Sequence, residues 1–119
     1  MDITESVSVA NLEDAHELMY ELGWTDGLPV VPPTTKLVQA IIDYLGRDPE
    51  ETVGLIPPKN RVATIEKVAV NCVMAGCQPR HVPVVLAALE GLLDESFNLN
   101  GVQATTNCVS PLTVVSGPI

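Results

Sequence analysis

The sequence predicts an α/β fold, with about four helices packed on a small sheet, in a chain of 119 residues. Three observations point there. Stretches with apolar residues at helical spacing alternate with stretches broken by proline and glycine. Short runs rich in Val, Ile and Thr stand between and after them, as strands do. The chain closes on such runs with little to pair them, so the sheet is expected to be completed by another chain or by further C-terminal sequence. No repeat, low-complexity tract or linker divides it, and 1–119 reads as a single α/β domain or subunit.

Residues 1–9 carry no strong period and are expected to form a flexible arm or an edge strand. Asn11 then offers an N-cap, Glu13 and Asp14 sit in the first turn, and Leu12, Ala15, Leu18, Met19 and Leu22 recur at helical spacing up to Gly23. Residues 24–34 hold Asp26-Gly27, a tight-turn pair, and Pro29, Pro32 and Pro33, which exclude a helix and make a stiff, extended loop. A second helix starts at Thr34 or Thr35, buries Leu37, Val38, Ile41, Ile42 and Leu45, and stops at Gly46.

Between 47 and 60, Thr52 to Ile56 suits a short strand ended by Pro57-Pro58. Residues 64–94 read as a helix–cysteine–helix unit. Its first helix starts at Thr64, buries Ile65, Val68, Ala69, Cys72 and Val73, and ends at Gly76; Cys77 follows, and Pro79 opens the second helix. That second helix is apolar nearly all round and is expected to be the central, buried one. After a turn-rich link, 102–116 reads as a strand pair, with strands over 102–106 and 112–115.

Composition removes several function classes. The net charge of −9 opposes binding to nucleic acid or anionic membrane, both of which require a basic surface. No apolar run approaches the roughly 18 residues of a membrane span. Three cysteines, an odd count, with no secretory signal point to a reducing, cytoplasmic setting. There is no Walker loop, no Gly-x-Gly-x-x-Gly, no Gly-x-Ser-x-Gly and no His-Glu-x-x-His, and no cofactor or metal is assigned.

The chemistry centres on thiols. Cys77 lies between a helix-ending glycine and a helix-opening proline, so its sulfur is expected near a helix N-terminus, where the dipole favours a thiolate. Arg80 and His81 follow within a turn and add positive charge. Cys72 falls on an apolar stripe and reads as core. Cys108 lies in a polar loop after Thr105, Thr106 and Asn107, whose hydroxyls and amide suit substrate orientation. Asp26, on the stiff loop beside Gly27, is the acid/base candidate; its alternative role is an Asx turn. His81 is either a base or an exposed first-turn residue, and His16 reads as surface.

Four segments together resemble the N-terminal part of the UGSC family of bacterial cysteine or selenocysteine proteins. They are Gly23-Trp24-Thr25-Asp26-Gly27-Leu28-Pro29-Val30-Val31-Pro32-Pro33-Thr34, Val68-Ala69-Val70-Asn71-Cys72-Val73-Met74-Ala75-Gly76-Cys77, Ala104-Thr105-Thr106 and Gly117-Pro118-Ile119. Some relatives in that family are described as similar to organomercurial lyases or thiol oxidoreductases. The Cys-Gly-Ser-Cys form of the naming motif does not occur in this chain. The resemblance implies that Cys77, Asp26 and the Thr-Thr run lie near one pocket.

The expected function is therefore the small subunit, or N-terminal portion, of a cytoplasmic cysteine-dependent lyase or oxidoreductase acting on a small molecule. Cys77, Asp26 and His81 are its catalytic candidates, and Gly27, Arg80, Thr105, Thr106, Asn107 and Cys108 its substrate-binding ones. A homo- or hetero-oligomer is expected, with a partner chain supplying the rest of the sheet. Two alternatives stand beside it: a non-catalytic structural subunit, and a soft-metal-binding protein using Cys77, His81 and Cys108.

Overall fold

A computed structural model describes residues 6–118. The element order is α1 (Leu12–Glu21), α2 (Thr35–Leu45), β1 (Thr52–Ile56), β2 (Arg61–Thr64), α3 (Ile65–Met74), α4 (Val82–Leu93) and α5 (Leu99–Ala104). Single 3₁₀ turns stand at Pro79–His81 and Glu95–Phe97. The fold is mixed α/β, with five helices and one two-stranded antiparallel sheet among the described residues.

Local chemistry sets the helix ends. Asn11, Thr34 and Thr64 each accept a hydrogen bond from a backbone N–H of the following turn, satisfying a donor that has no partner inside the helix. Gly46 closes α2 in the left-handed conformation at φ 61°. Arg47 then grips Glu51 in a two-pronged ion pair, at 2.7 and 3.0 Å. That turn feeds the next helix: the carbonyls of Pro49 and Glu51 accept from the N–H groups of Glu66 and Ile65.

β1 and β2 pair as a hairpin, with Ile56 opposite Arg61 and Leu55 opposite Val62. Thr52 opposes Thr64 while Gly54 opposes Ala63, so Val53 is an extra residue and bends the strand. Gly54 has a packing reason. A Cβ there would fall 2.6 Å from Leu93 Cδ1, so a side chain at this position would have to displace the Leu93 side chain of α4.

The core joins Val38, Ile41 and Ile42 of α2 to Ile65, Val68, Ala69, Cys72 and Val73 of α3, capped by Val82 and Leu86 of α4. Thus α3, not α4, is the central helix. Only Val82 and Leu86 of α4 are fully buried, because α2, α3 and β1 cover one side of it and its remaining apolar residues stay partly open.

The C-terminal expectation is corrected. Residues 99–104 form a helix where the first strand of the 102–116 pair was expected. Asn98, at φ 55°, accepts from the Gly101 N–H at 3.2 Å and starts that helix, which buries Leu99. Residues 105–118 form no strand. Pro111 removes a ladder donor from this stretch. The fourth helix also begins later than expected: Pro79–His81 is a 3₁₀ turn, and α4 proper starts at Val82. Of the expected arm at 1–9, residues 1–5 lie outside the described part, and 6–9 are exposed with no regular structure.

Candidate functional site

Cys77 owes its position to how α3 ends. Ala75 is the C-cap, Gly76 follows at φ 77°, and two reversed hydrogen bonds close the turn. Gly76 N–H donates to the Val73 carbonyl and Cys77 N–H to the Cys72 carbonyl, each at 2.8 Å. This is a Schellman ending, and its geometry brings the side chains at both ends of the longer bond together. Here those two residues are cysteines. Cys72 is 4% exposed and Cys77 half-buried against the same core.

The two thiols interact. Burial is the main cause that pushes the Cys72 thiol from an ordinary 9.0 to about 11, and the charge and hydrogen bonding of Cys77 push it further the same way. The sequence marked Cys72 as core, which it is, but missed its contact with Cys77. The signal was available in the five-residue spacing across Gly76, which matches the two contacting positions of a Schellman ending.

The expectation that Cys77 sits at a helix N-terminus needs correction in its physics. Cys77 N–H is spent on the end of α3, and Gln78 N–H donates to His81 Nδ1 at 3.1 Å. Pro79 has no N–H, and α4 begins five residues beyond Cys77. The nearest α-helix end is therefore the C-terminus of α3. What the junction supplies instead is access, a second thiol, and the adjacent Arg80 and His81. Accepting at Nδ1 leaves the neutral His81 ring with its proton on Nε2.

The stiff loop at 24–34 reaches this junction by its far end. Val31 N–H donates to the Met74 carbonyl at 3.1 Å, and Val31 Cγ2 lies 4.0 Å from where a Gly76 Cβ would be. Asp26 and Gly27 are at the other end of the loop, beside Tyr20 of α1. Asp26 Oδ1 accepts from Leu28 N–H at 3.3 Å, an Asx turn, and Gly27 takes φ 111°. Thr25 reinforces the turn, donating to the Leu28 carbonyl at 2.7 Å and accepting from Gly27 N–H at 3.2 Å. The carboxylate is exposed and engaged in turn formation.

Two cavities flank these elements. One, of 330 Å³, lies among α1, α2, α3 and the stiff loop; Trp24, Met19, Pro32, Val38 and Val70 line it, with Glu66 the ionisable wall among the described residues. The other, of 480 Å³, lies between Leu89 and Leu92 of α4 and the segment after α5, and Thr105 and Asn107 line it. Thr106 and Cys108 are exposed on that segment and line neither cavity. The structure thus keeps Cys77, Arg80 and His81 together at one end of α4, and sets Thr105 and Asn107 by its other end. Among the described residues no three His, Cys, Asp or Glu side chains gather, so Cys77, His81 and Cys108 do not form a ligand set. No helix among the described residues is long and apolar enough to cross a membrane.

No protein-family model, curated protein or solved structure matches this chain.

Proposed function

We propose that this chain is the small subunit, or one portion, of a cytoplasmic cysteine-dependent enzyme that performs thiol redox or thiol-assisted bond cleavage on a small molecule. One observation carries the reading: Cys77 is a partly exposed thiol fixed at a glycine corner against a second, buried thiol. A lone packed cysteine would not need that partner. Arg80 and His81 follow in the next turn, a guanidinium and an imidazole three and four residues along the chain, as groups that could bind or serve a substrate at Cys77. Asp26 serves as a turn-former at the end of the loop beside Tyr20, its Oδ1 accepting from Leu28 N–H. The resemblance to the UGSC proteins supports the same direction.

Selective alkylation tests it. Iodoacetamide at pH 6.5 should label Cys77 markedly faster than Cys72, whose thiol is both buried and held protonated. Equal, slow labelling of the two sinks the proposal.

A second reading, a structural subunit of a larger assembly, is favoured by exposed surface. The chain exposes 8364 Å², whereas a compact monomer of its 12.7 kDa exposes about 6200 Å². Its Cα radius of gyration is 15.4 Å, against about 13.5 Å for a compact chain of this length. Exposed apolar residues such as Leu55 and Val62 of the hairpin and Leu112 and Val114 of the 105–118 segment are surface that a partner would cover. Sedimentation decides: a monodisperse monomer at ~100 μM with one cooperative unfolding transition rules out an obligate assembly.

A further inference from the structure

We propose that Cys72 and Cys77 form a reversible dithiol–disulfide pair, in which Cys77 attacks an incoming low-molecular-weight disulfide and Cys72 resolves the adduct. This rests on the reading of Cys77 as the reactive thiol and adds the role of its partner.

The geometry carries it. The Schellman ending puts the two residues at the positions whose side chains meet, across a backbone bond of 2.8 Å. Cys77 lies beyond the last helical residue of α3, so its sulfur can turn toward Cys72 without breaking helical hydrogen bonds. Exposure divides the labour. Cys77 is open enough to meet a solute, while Cys72 is reached only by what is already bonded to Cys77. Burial and the neighbouring sulfur also keep Cys72 protonated, so it does not compete as the attacking thiol.

The exchange balances. The Cys77 thiolate attacks one sulfur of R–S–S–R; that S–S bond breaks, R–S⁻ leaves and takes up the proton Cys77 gave to water, and Cys77 holds a mixed disulfide. Cys72 then loses its proton and attacks Cys77 Sγ. The mixed S–S bond breaks, the second R–S⁻ leaves and is protonated, and a Cys72–Cys77 bond forms. The two protein sulfurs are oxidised, the two R sulfurs are reduced, and two R–SH are released.

The sequence makes the test clean. The only basic residues around the pair, Lys67 and Arg80, put Cys72 and Cys77 on one tryptic peptide, 68–80, while Cys108 falls on another, 81–119. The intact chain is treated with excess oxidised glutathione, digested without reduction and weighed by mass spectrometry. The expected result is a 68–80 peptide two hydrogens lighter, without glutathione, beside a glutathione adduct at the solitary, exposed Cys108. In Cys72→Ala the adduct should instead persist on Cys77. Should that variant fail to fold, Cys77→Ser serves: Cys72 should then react at least about 100-fold more slowly than the wild-type pair, as buried thiols do. A stable glutathione adduct on Cys77 in the wild type overturns the resolving role and leaves Cys77 reactivity standing. An unmodified 68–80 peptide, with Cys108 adducted, overturns both.

Discussion

The α3–α4 junction and the segment after α5 each carry a cysteine, yet they satisfy their backbones in opposite ways. At the junction, Gly76 and Cys77 return their N–H groups to α3, His81 takes the Gln78 N–H, and Val31 adds a bond from the stiff loop. Every turn there is closed by residues at most five apart or by a loop already fixed by three prolines. In 105–118 the internal bonds are two: Asn107 N–H to Thr105 Oγ1 and Val109 N–H to the Asn107 carbonyl. Beyond Val109 the side chains Leu112 and Val114 are 87% and 83% exposed. The lesson is that strand propensity builds nothing without a neighbour, whereas a helix ending is complete in its own six residues.

The sharpest way to break this comparison is to truncate one side chain in each region. Ile65→Ala, at 0% exposure between α2 and α4, should cost about 2–5 kcal/mol in urea unfolding. Leu112→Ala should stay within about 0.5 kcal/mol. If Leu112→Ala costs as much as the core change, the segment is docked in solution, and the contrast between the regions fails.

The same contrast explains what was legible beforehand. The caps at Asn11, Thr34 and Thr64, the stop at Gly46 and the strand at Thr52–Ile56 were all readable, because each depends on residues within a few positions. β2 was not, since Arg61–Thr64 is four residues long and defined only by its pairing with β1. The strand pair at 102–116 was misread because Val and Thr were counted for their propensity, with no partner in view and with Asn98 and Gly101 able to start a helix. At the site, Cys77 and its neighbours were found by position along the chain. The Cys72 contact is not legible from its apolar stripe alone, and of the two roles the sequence leaves open for Asp26 the structure shows the Asx turn.

A second prediction separates the cysteines by pH. Because the folded Cys72 thiol is raised to about 11, its contribution to stability is fully present below the ordinary value of 9.0 and is lost as pH rises through about 11, where the unfolded chain alone has gained by ionising. Between those limits wild-type unfolding free energy should fall by an amount on the order of 2 kcal/mol more than that of Cys72→Ala, at 1.36 kcal/mol per unit. Matching slopes for wild type and Cys72→Ala would mean that the Cys72 thiol is solvated, and the buried half of the pair would be lost.

The smallest effect tests the glycine corner itself, by setting it against a glycine that has no such duty. Gly76 holds φ 77°, where a Cβ meets the following carbonyl, so Gly76→Ala should cost about 1 kcal/mol. Space is not the obstacle, because the nearest atom to a new Cβ would be Val31 Cγ2 at 4.0 Å. The cost is backbone strain, and relief of that strain would turn Cys77 away from Cys72. Gly91, inside α4, has open space around it and a helical backbone, so Gly91→Ala should instead stabilise by about 0.5–1 kcal/mol through a less free unfolded chain. The readout that goes beyond stability is the thiol pair: Gly76→Ala should slow closure of the Cys72–Cys77 disulfide while Gly91→Ala leaves it alone. If both alanines stabilise and the pair still closes at the wild-type rate, the left-handed corner is not what holds the two sulfurs together.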